Sequence, residues 1–206
     1  MNKAGMIVIA LLVAIGFAVL PALAVEAPVI TLERVEVASI QPFYMSPKIA
    51  VPTQEDPKKT EDKAMGVGYS STMSVAYVLN IKNPGKEPVM LDEVMFTTKF
   101  EGFETNTVTA YEDSWIPGGK ANQIRVLAVY EAHPAVLSLM IGSESSEKMQ
   151  EMKTTAPALV KKWFEQIADF SFPIEISNGA AVFQDAKGKE MRVNFSGKWG
   201  SKEEKK

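Results

Sequence analysis

Cysteine is absent from the 206-residue sequence, and histidine occurs once, at His133. The first absence removes disulfides, thiolate metal sites, cysteine nucleophiles and lipid attachment through cysteine. The second removes most acid–base and metal chemistry near neutral pH, because histidine is the side chain whose ordinary pKa falls there. An excess of positive charge is also missing: 22 Lys+Arg stand against 25 Asp+Glu, for a net charge of −3 and a pI near 5.4. A nucleic-acid partner needs a basic stripe, so none is expected. The expectation is a non-enzyme with no catalytic residues, no cofactor-binding residues, no cofactor and no metal site.

What is present is a hydrophobic fraction of 46% against 23% charged residues, ordinary for a chain that folds around a core. The longest apolar run is Met6 to Val25, preceded by Lys3 and free of charge. Twenty helical residues cover about the 30 Å of a bilayer core. Residues 1–25 are therefore a membrane anchor or a signal peptide. Pro21 and the Ala22-Leu23-Ala24 pattern fit cleavage, and the length suffices for a retained span. A retained anchor is the reading carried forward. It places membrane lipid around residues 6–25, Lys3 inside, and the bulk of the chain on the periplasmic side of an inner membrane.

Beyond residue 25 the pattern is one of short strands. Ile30, Leu32, Val35 and Val37 alternate with a shift at Glu33-Arg34, while Met73, Val75, Tyr77, Leu79 and Ile81 alternate without interruption. Val89 to Phe100 is a strand with a bulge at Asp92-Glu93, since Val89 and Leu91 are out of phase with Val94 and Phe96. Asn83-Pro84-Gly85 and Pro117-Gly118-Gly119 are turns. Ile124 to Tyr130 is apolar on both faces, with Leu127 and Val129 opposite the alternating set, which predicts a central, doubly covered strand. The terminal strands are expected over Phe170–Ile176, Ala180–Gln184 and Glu190–Trp199, with Asn178-Gly179 as a hairpin turn. Two segments do not alternate. Residues 41–71 carry Pro42, Pro47, Pro52 and Pro57 and read as a long loop, while residues 134–169 read as a helical insertion. In the insertion, Leu159, Val160, Trp163, Phe164 and Ile167 share one helical face, and Thr155 stands as an N-cap.

Several short motifs bear on chemistry. Ser145-Ser146-Glu147-Lys148 matches S-x-x-K, but the S-D-N and K-T-G partners of serine–lysine enzymes do not occur in the sequence. Gly66-Val67-Gly68 lacks the third glycine of a nucleotide loop. Met149 and Met152 stand three apart on the expected helix, a spacing that suits either an adaptable interface or a thioether copper site. Phe43, Tyr44 and Met45 sit among prolines in a segment with no periodic core role, which fits interface anchors. The candidate partner-binding residues are thus Phe43, Tyr44, Met45, Met149 and Met152.

The run from Val75 to Phe103, VAYVLNIKNPGKEPVMLDEVMFTTKFEGF, followed by SWIPGGKANQIRV from Ser114 to Val126, resembles the group-two late embryogenesis abundant proteins. It is equally similar to their relatives, the water-stress and hypersensitive-response domains. The shared features are an alternating strand ending in an Asn-Pro turn (Asn83-Pro84), a second proline at Pro88, and a later proline–glycine turn. The resemblance implies an immunoglobulin- or fibronectin-like β-sandwich without catalytic residues, behind a membrane anchor or signal peptide. Residues 41–71 and 134–169 depart from that family pattern.

The expected architecture is mainly β: an immunoglobulin/fibronectin-like sandwich over residues 26–200 with a helical insertion, one transmembrane helix before it, and a charged tail over residues 201–206. The expected role is a non-catalytic, membrane-anchored accessory or structural subunit that docks on a membrane protein complex from the periplasmic side. The alternatives are a desiccation-type protective sandwich and a periplasmic ligand- or copper-binding module.

Overall fold

The strictly alternating stretch around Val75 becomes the middle of the molecule. In the computed structural model, which describes residues 26–41, 48–52, 60–64 and 71–200, it is strand β4 (Thr72–Lys82), flanked by β1 (Val29–Ile40) and β7 (Ala121–Glu131) in an antiparallel three-stranded sheet. The facing sheet has four antiparallel strands in the order β6-β5-β8-β9, with β5 Val89–Phe100, β6 Phe103–Ile116, β8 Ile174–Asp185 and β9 Glu190–Trp199. A separate antiparallel ladder pairs β2 (Lys48–Pro52) with β3 (Thr60–Ala64). The chain is thus a mainly β sandwich. Helices α1 (Ala132–Ile141), α2 (Ser143–Glu151) and α3 (Ala156–Gln166), with a 3-10 turn at Ile167–Asp169, stand between β7 and β8.

The anchor expected over residues 6–25 lies outside the described residues, as do Phe43, Tyr44, Met45 and Gly66-Val67-Gly68. Among the described residues, no helix is long and apolar enough to cross a membrane.

The core is the space between the sheets. Val75, Tyr77, Leu79 and Ile81 from β4 meet Phe96 from β5 and Phe195 from β9, with Ile124 and Val126 beside them, and all eight are buried. Trp199 is only partly buried, against this cluster. The bulges read from the sequence are present, with register shifts at Leu32/Arg34 and at Leu91/Glu93. β1 also runs beside β9. There Gly197 comes so close to β1 that a Cβ on it would stand 2.6 Å from the Cβ of Leu32, so the closure of that edge requires glycine.

Two expectations are corrected. β7 is an edge strand of its sheet, and Leu127 and Val129 on its outer face are about half exposed. The doubly covered strand is β4, whose outward Ala76 and Val78 are buried. Over them, Glu36 from β1 binds Arg34 (2.8 Å) and reaches Arg125 of β7 (3.1 Å), so the ion cluster bridges the central strand. Those long side chains cover apolar surface while their charged heads stay in water. Secondly, Asn178-Gly179 is not a hairpin. β8 continues through it as a bulge, with Asn178 at φ +51° and a register shift between Ile176 and Gly179. An Asn-Gly pair supplies left-handed backbone equally well to a bulge or to a turn. Here a Cβ at Gly179 would meet the Phe195 carbonyl oxygen at 2.5 Å, so β9 lies directly against it.

The sandwich has two distinct ends. At the proximal end, where Glu26 leads into β1, Val29 pairs with Lys82 and Lys82 with Ala121, and Val89 pairs with both Ile116 and Asp185. Asn83, fully buried there, ties the turns together. Its Nδ2 donates to the carbonyls of Glu87 (2.8 Å) and Ile116 (3.0 Å), and its Oδ1 accepts from Gly85 N (3.0 Å). At the distal end lie the three helices and the β5–β6 turn.

Replacing Leu79 by Ala should lower unfolding free energy by about 2–5 kcal/mol in chemical denaturation, because the site is fully enclosed. Leu127→Ala on the outer face of β7 should cost less than about 1 kcal/mol.

Candidate functional site

The distal end holds the features that a plain sandwich does not need. β5 and β6 are joined by Glu101-Gly102, with Glu101 in the left-handed region at φ +50°. The helices fix this turn from outside. The Glu101 carboxylate accepts from Lys162 Nζ (2.5 Å) through one oxygen and from Trp163 Nε1 (2.9 Å) through the other. Its backbone carbonyl accepts from Lys148 Nζ (2.6 Å), which also stands 4.4 Å over the Phe103 ring. Trp163 meets Phe100 edge-on at 5.5 Å and Phe103 at 6.0 Å. Leu159, Val160, Phe164 and Ile167 are buried with it. The one-sided face read for this helix is therefore the face that plugs the sandwich. Its start is capped as read, with Thr155 Oγ1 accepting from Ala158 N at 3.4 Å.

α1 is different. Its sequence, AHPAVLSLMI, has no acidic residue in its first turn and no basic residue in its last. Ala132, Val136 and Leu139 are buried against the rest of the molecule, but Leu137, Met140 and Ile141 face out, Met140 at 64% and Ile141 at 83% exposure. A helix that is apolar all round is normally covered on every side. Among the described residues, this one is covered only on the side toward the sandwich. The candidate site is this apolar corner, where α1 ends at Gly142 and α2 begins.

Of the sequence candidates, Met149 is buried within the core cluster and Met152 is exposed. The two therefore do not share an open face, because the side of α2 that carries Met149 packs inward. Ser145 and Lys148 both line a cleft of about 400 Å³ under the α1–α2 corner, together with Lys99, Phe103 and Ser138. The Lys148 ammonium is committed to the Glu101 carbonyl and the Phe103 ring, so it is not placed as a base for Ser145. His133 falls in the first turn of α1. Among the described residues, no group of three His, Asp or Glu side chains is placed to hold a metal ion.

The polar group that sequence reasoning missed lies in the core. Tyr130 donates to Thr98 Oγ1 (2.9 Å), so the 2.6 Å contact between the two phenols has Tyr77 donating to Tyr130. Thr98 passes the chain on to the Asn106 carbonyl (3.1 Å). The line runs from β4 and β7 in one sheet to β5 and β6 in the other, and it satisfies hydroxyls that would be costly to bury alone. Burial pushes Tyr77 well above the ordinary phenol value of 10 and Tyr130 to about 12. Their partners among the described residues are hydroxyls, and both phenols stay protonated near neutral pH. The only hint in the sequence was that two residues in apolar alternation were tyrosines.

No family model and no curated protein matches the chain. Among solved structures, the X-ray structure of the Northeast Structural Genomics Consortium target SoR45 is similar at 12% identity, covering 82% of this chain and 87% of that one, with a TM-score of 0.39. A crystal structure of a protein from Archaeoglobus fulgidus is similar at 8% identity, covering 81% and 98%, with a TM-score of 0.34. The solution structure of AT1g01470 from Arabidopsis thaliana is similar at 9% identity, covering 83% and 82%, with a TM-score of 0.42. At these values the likenesses carry no functional inference.

The tyrosine pair makes stability pH-dependent in a defined window. Both phenols hold their protons more tightly folded than unfolded, so their contribution is intact below pH 10. Tyr130's share is lost as pH rises through about 12, and Tyr77's as pH rises through its own raised value. Denaturation midpoints should fall across that range, and Tyr130→Phe should flatten the fall. Spectrophotometric titration of the folded chain should find both core tyrosines ionising only above the ordinary phenol value of 10.

Proposed function

We propose that the chain is a non-catalytic accessory or structural subunit, held by residues 6–25 in a membrane, which docks on a membrane protein complex through the distal end of its sandwich. The observation that carries this reading is the apolar corner of α1 formed by Leu137, Met140 and Ile141, left uncovered among the described residues. Contiguous exposed apolar surface on a folded domain marks an interaction site, and methionine adapts well to a partner's contour. Met152 extends the candidate contact set, and Phe43, Tyr44 and Met45 remain candidates on sequence grounds. We infer further that the sandwich is immunoglobulin/fibronectin-like. Setting aside β2 and β3, seven long strands divide three and four, and the chain crosses between sheets from β4 to β5, from β6 to β7 and from β7 to β8, in keeping with that architecture. The desiccation-type reading rests on the resemblance around Asn83-Pro84, and a copper-binding reading rests on methionine spacing alone.

Extraction in mild detergent should recover a stoichiometric membrane-protein partner. The combined variant Leu137→Ser, Met140→Ser, Ile141→Ser should lose it by at least about tenfold, since truncating central contacts of an interface removes most of its binding energy. Its melting temperature should stay close to that of the parent, because all three side chains face outward. A clean monomer from the unsubstituted chain would overturn the subunit reading in favour of a protective sandwich. Full retention of the partner by the triple variant would move the docking surface elsewhere.

A further inference from the structure

The proximal end carries chemistry that neither the core nor the distal docking corner uses. Three turns meet there: residues 83–88, 117–120 and 185–189. The first two are locked by Gly119 N donating to Gly85 O (2.8 Å) and Asn83 N donating to Lys120 O (2.9 Å). From them and their borders project Lys82, Lys86, Lys120, Lys187 and Lys189, all exposed. The carboxylates on the turns and their borders are Glu26, Glu87, Asp185 and Glu190, with Asp113 two residues before Trp115 and Asp92, which accepts from Gln184 (3.4 Å), just behind them. That of Asp185 is turned to the backbone amides of Lys187 (2.8 Å) and Lys189 (2.9 Å), which hold its pKa below the ordinary value. Trp115, the penultimate residue of β6, is 51% exposed at the same end, and no described residue engages its indole N–H.

The decisive constraint is where the remaining chain attaches. Pro28 is already buried, and Glu26 lies against the 83–88 turn, its carbonyl 3.8 Å from where a Cβ on Gly85 would stand. The apolar run ends at Val25, three residues earlier. Three residues span at most about 10 Å, so a domain tethered by a membrane-spanning segment 6–25 has almost no leash. Its proximal end must lie at the headgroup layer.

We propose that the proximal end is a phospholipid-facing surface: the turn lysines contact headgroup phosphates, and Trp115 sits as an interfacial anchor. This inference rests on the anchored reading of residues 6–25. The residue types fit, because tryptophan concentrates at membrane–water interfaces and lysine reaches phosphates on a long apolar stem. Lysines from three separate turns and one indole would hold the sandwich upright where a single tether would leave it free to lean. With the five lysines balanced by neighbouring carboxylates, the contact is made to individual phosphates rather than by bulk attraction to a strongly charged surface.

The test uses the full chain reconstituted in vesicles of phosphatidylcholine and phosphatidylglycerol containing lipids brominated near the headgroup. The protein has three tryptophans, and the other two serve as internal controls: Trp163 is buried under the helices and Trp199 pairs with Ile174 at the distal end. The expected result is partial quenching that Trp115→Phe abolishes and that Lys86→Glu, Lys120→Glu and Lys187→Glu together reduce. Unquenched Trp115 in a chain that resists carbonate extraction would overturn the lipid-facing surface while leaving the anchor intact. Release of the chain by carbonate would overturn the anchor itself, and the surface with it.

Discussion

The contact on which the distal half of the molecule depends is Glu101 held by Lys162 and Trp163. A sandwich of two sheets is open at its ends, and this one would expose Phe100, Phe103, Phe172 and Tyr130 at the distal opening. The helices close it. Trp163 and Phe172 each stand 5.5 Å from Phe100, and Tyr130 lies at 5.0 Å from it. The Glu101 carboxylate, only 14% exposed, is satisfied by an ammonium and an indole N–H from a single turn of α3. An arrangement of this kind is costly to break from one side, because removing either donor leaves part of a carboxylate unpartnered. The insertion is consequently not an appendage on a finished domain but the lid of its core.

That closure has a consequence for α1. With α3 filling the opening, α1 is pushed to the outside, where it can bury only the side bearing Val136 and Leu139. Its remaining apolar side chains are left at a corner of the distal end, with the run of the strands between them and the proximal turns. In the proposed arrangement the two ends divide the work. The proximal turns rest on lipid, and the distal corner meets a partner that rises from the same membrane. The tyrosine–threonine line between the sheets and the Asn83 hub at the proximal end make the body between them stiff.

Most of the strand framework was legible because alternation in β1, β4 and β5 is set by one buried face, and its interruptions at Glu33-Arg34 and Asp92-Glu93 mark real bulges. The capped, one-sided α3 was legible for the corresponding helical reason. Failures came where a local pattern has two structural uses. Leu127 and Val129 look like the second face of a central strand, yet β7 lies at an edge and the covering falls on Ala76 and Val78 of β4. Asn178-Gly179 fits a hairpin and serves as a bulge. The β2–β3 ladder was hidden because the prolines of residues 41–71 leave no alternation long enough to read. At the candidate site, Met149 and Met152 were singled out by spacing alone, which cannot say which side of α2 packs inward. The exposure of Leu137, Met140 and Ile141 depends on what α3 already fills, a tertiary fact that no local pattern carries.

The central claim is that the sandwich stands on the membrane at one end and presents α1 at the other. Because the chain has no cysteine, Ile141→Cys introduces a single labelling site. A spin label there, with the full chain in nanodiscs, reports its distance from the bilayer and its access to lipid-soluble relaxers. An upright sandwich holds the label away from the headgroups, with the run of the strands between, and out of reach of relaxers confined to lipid. A label relaxed by lipid-soluble agents would mean that the α1 corner itself enters the bilayer, and would contradict the division between a lipid-facing end and a partner-facing end.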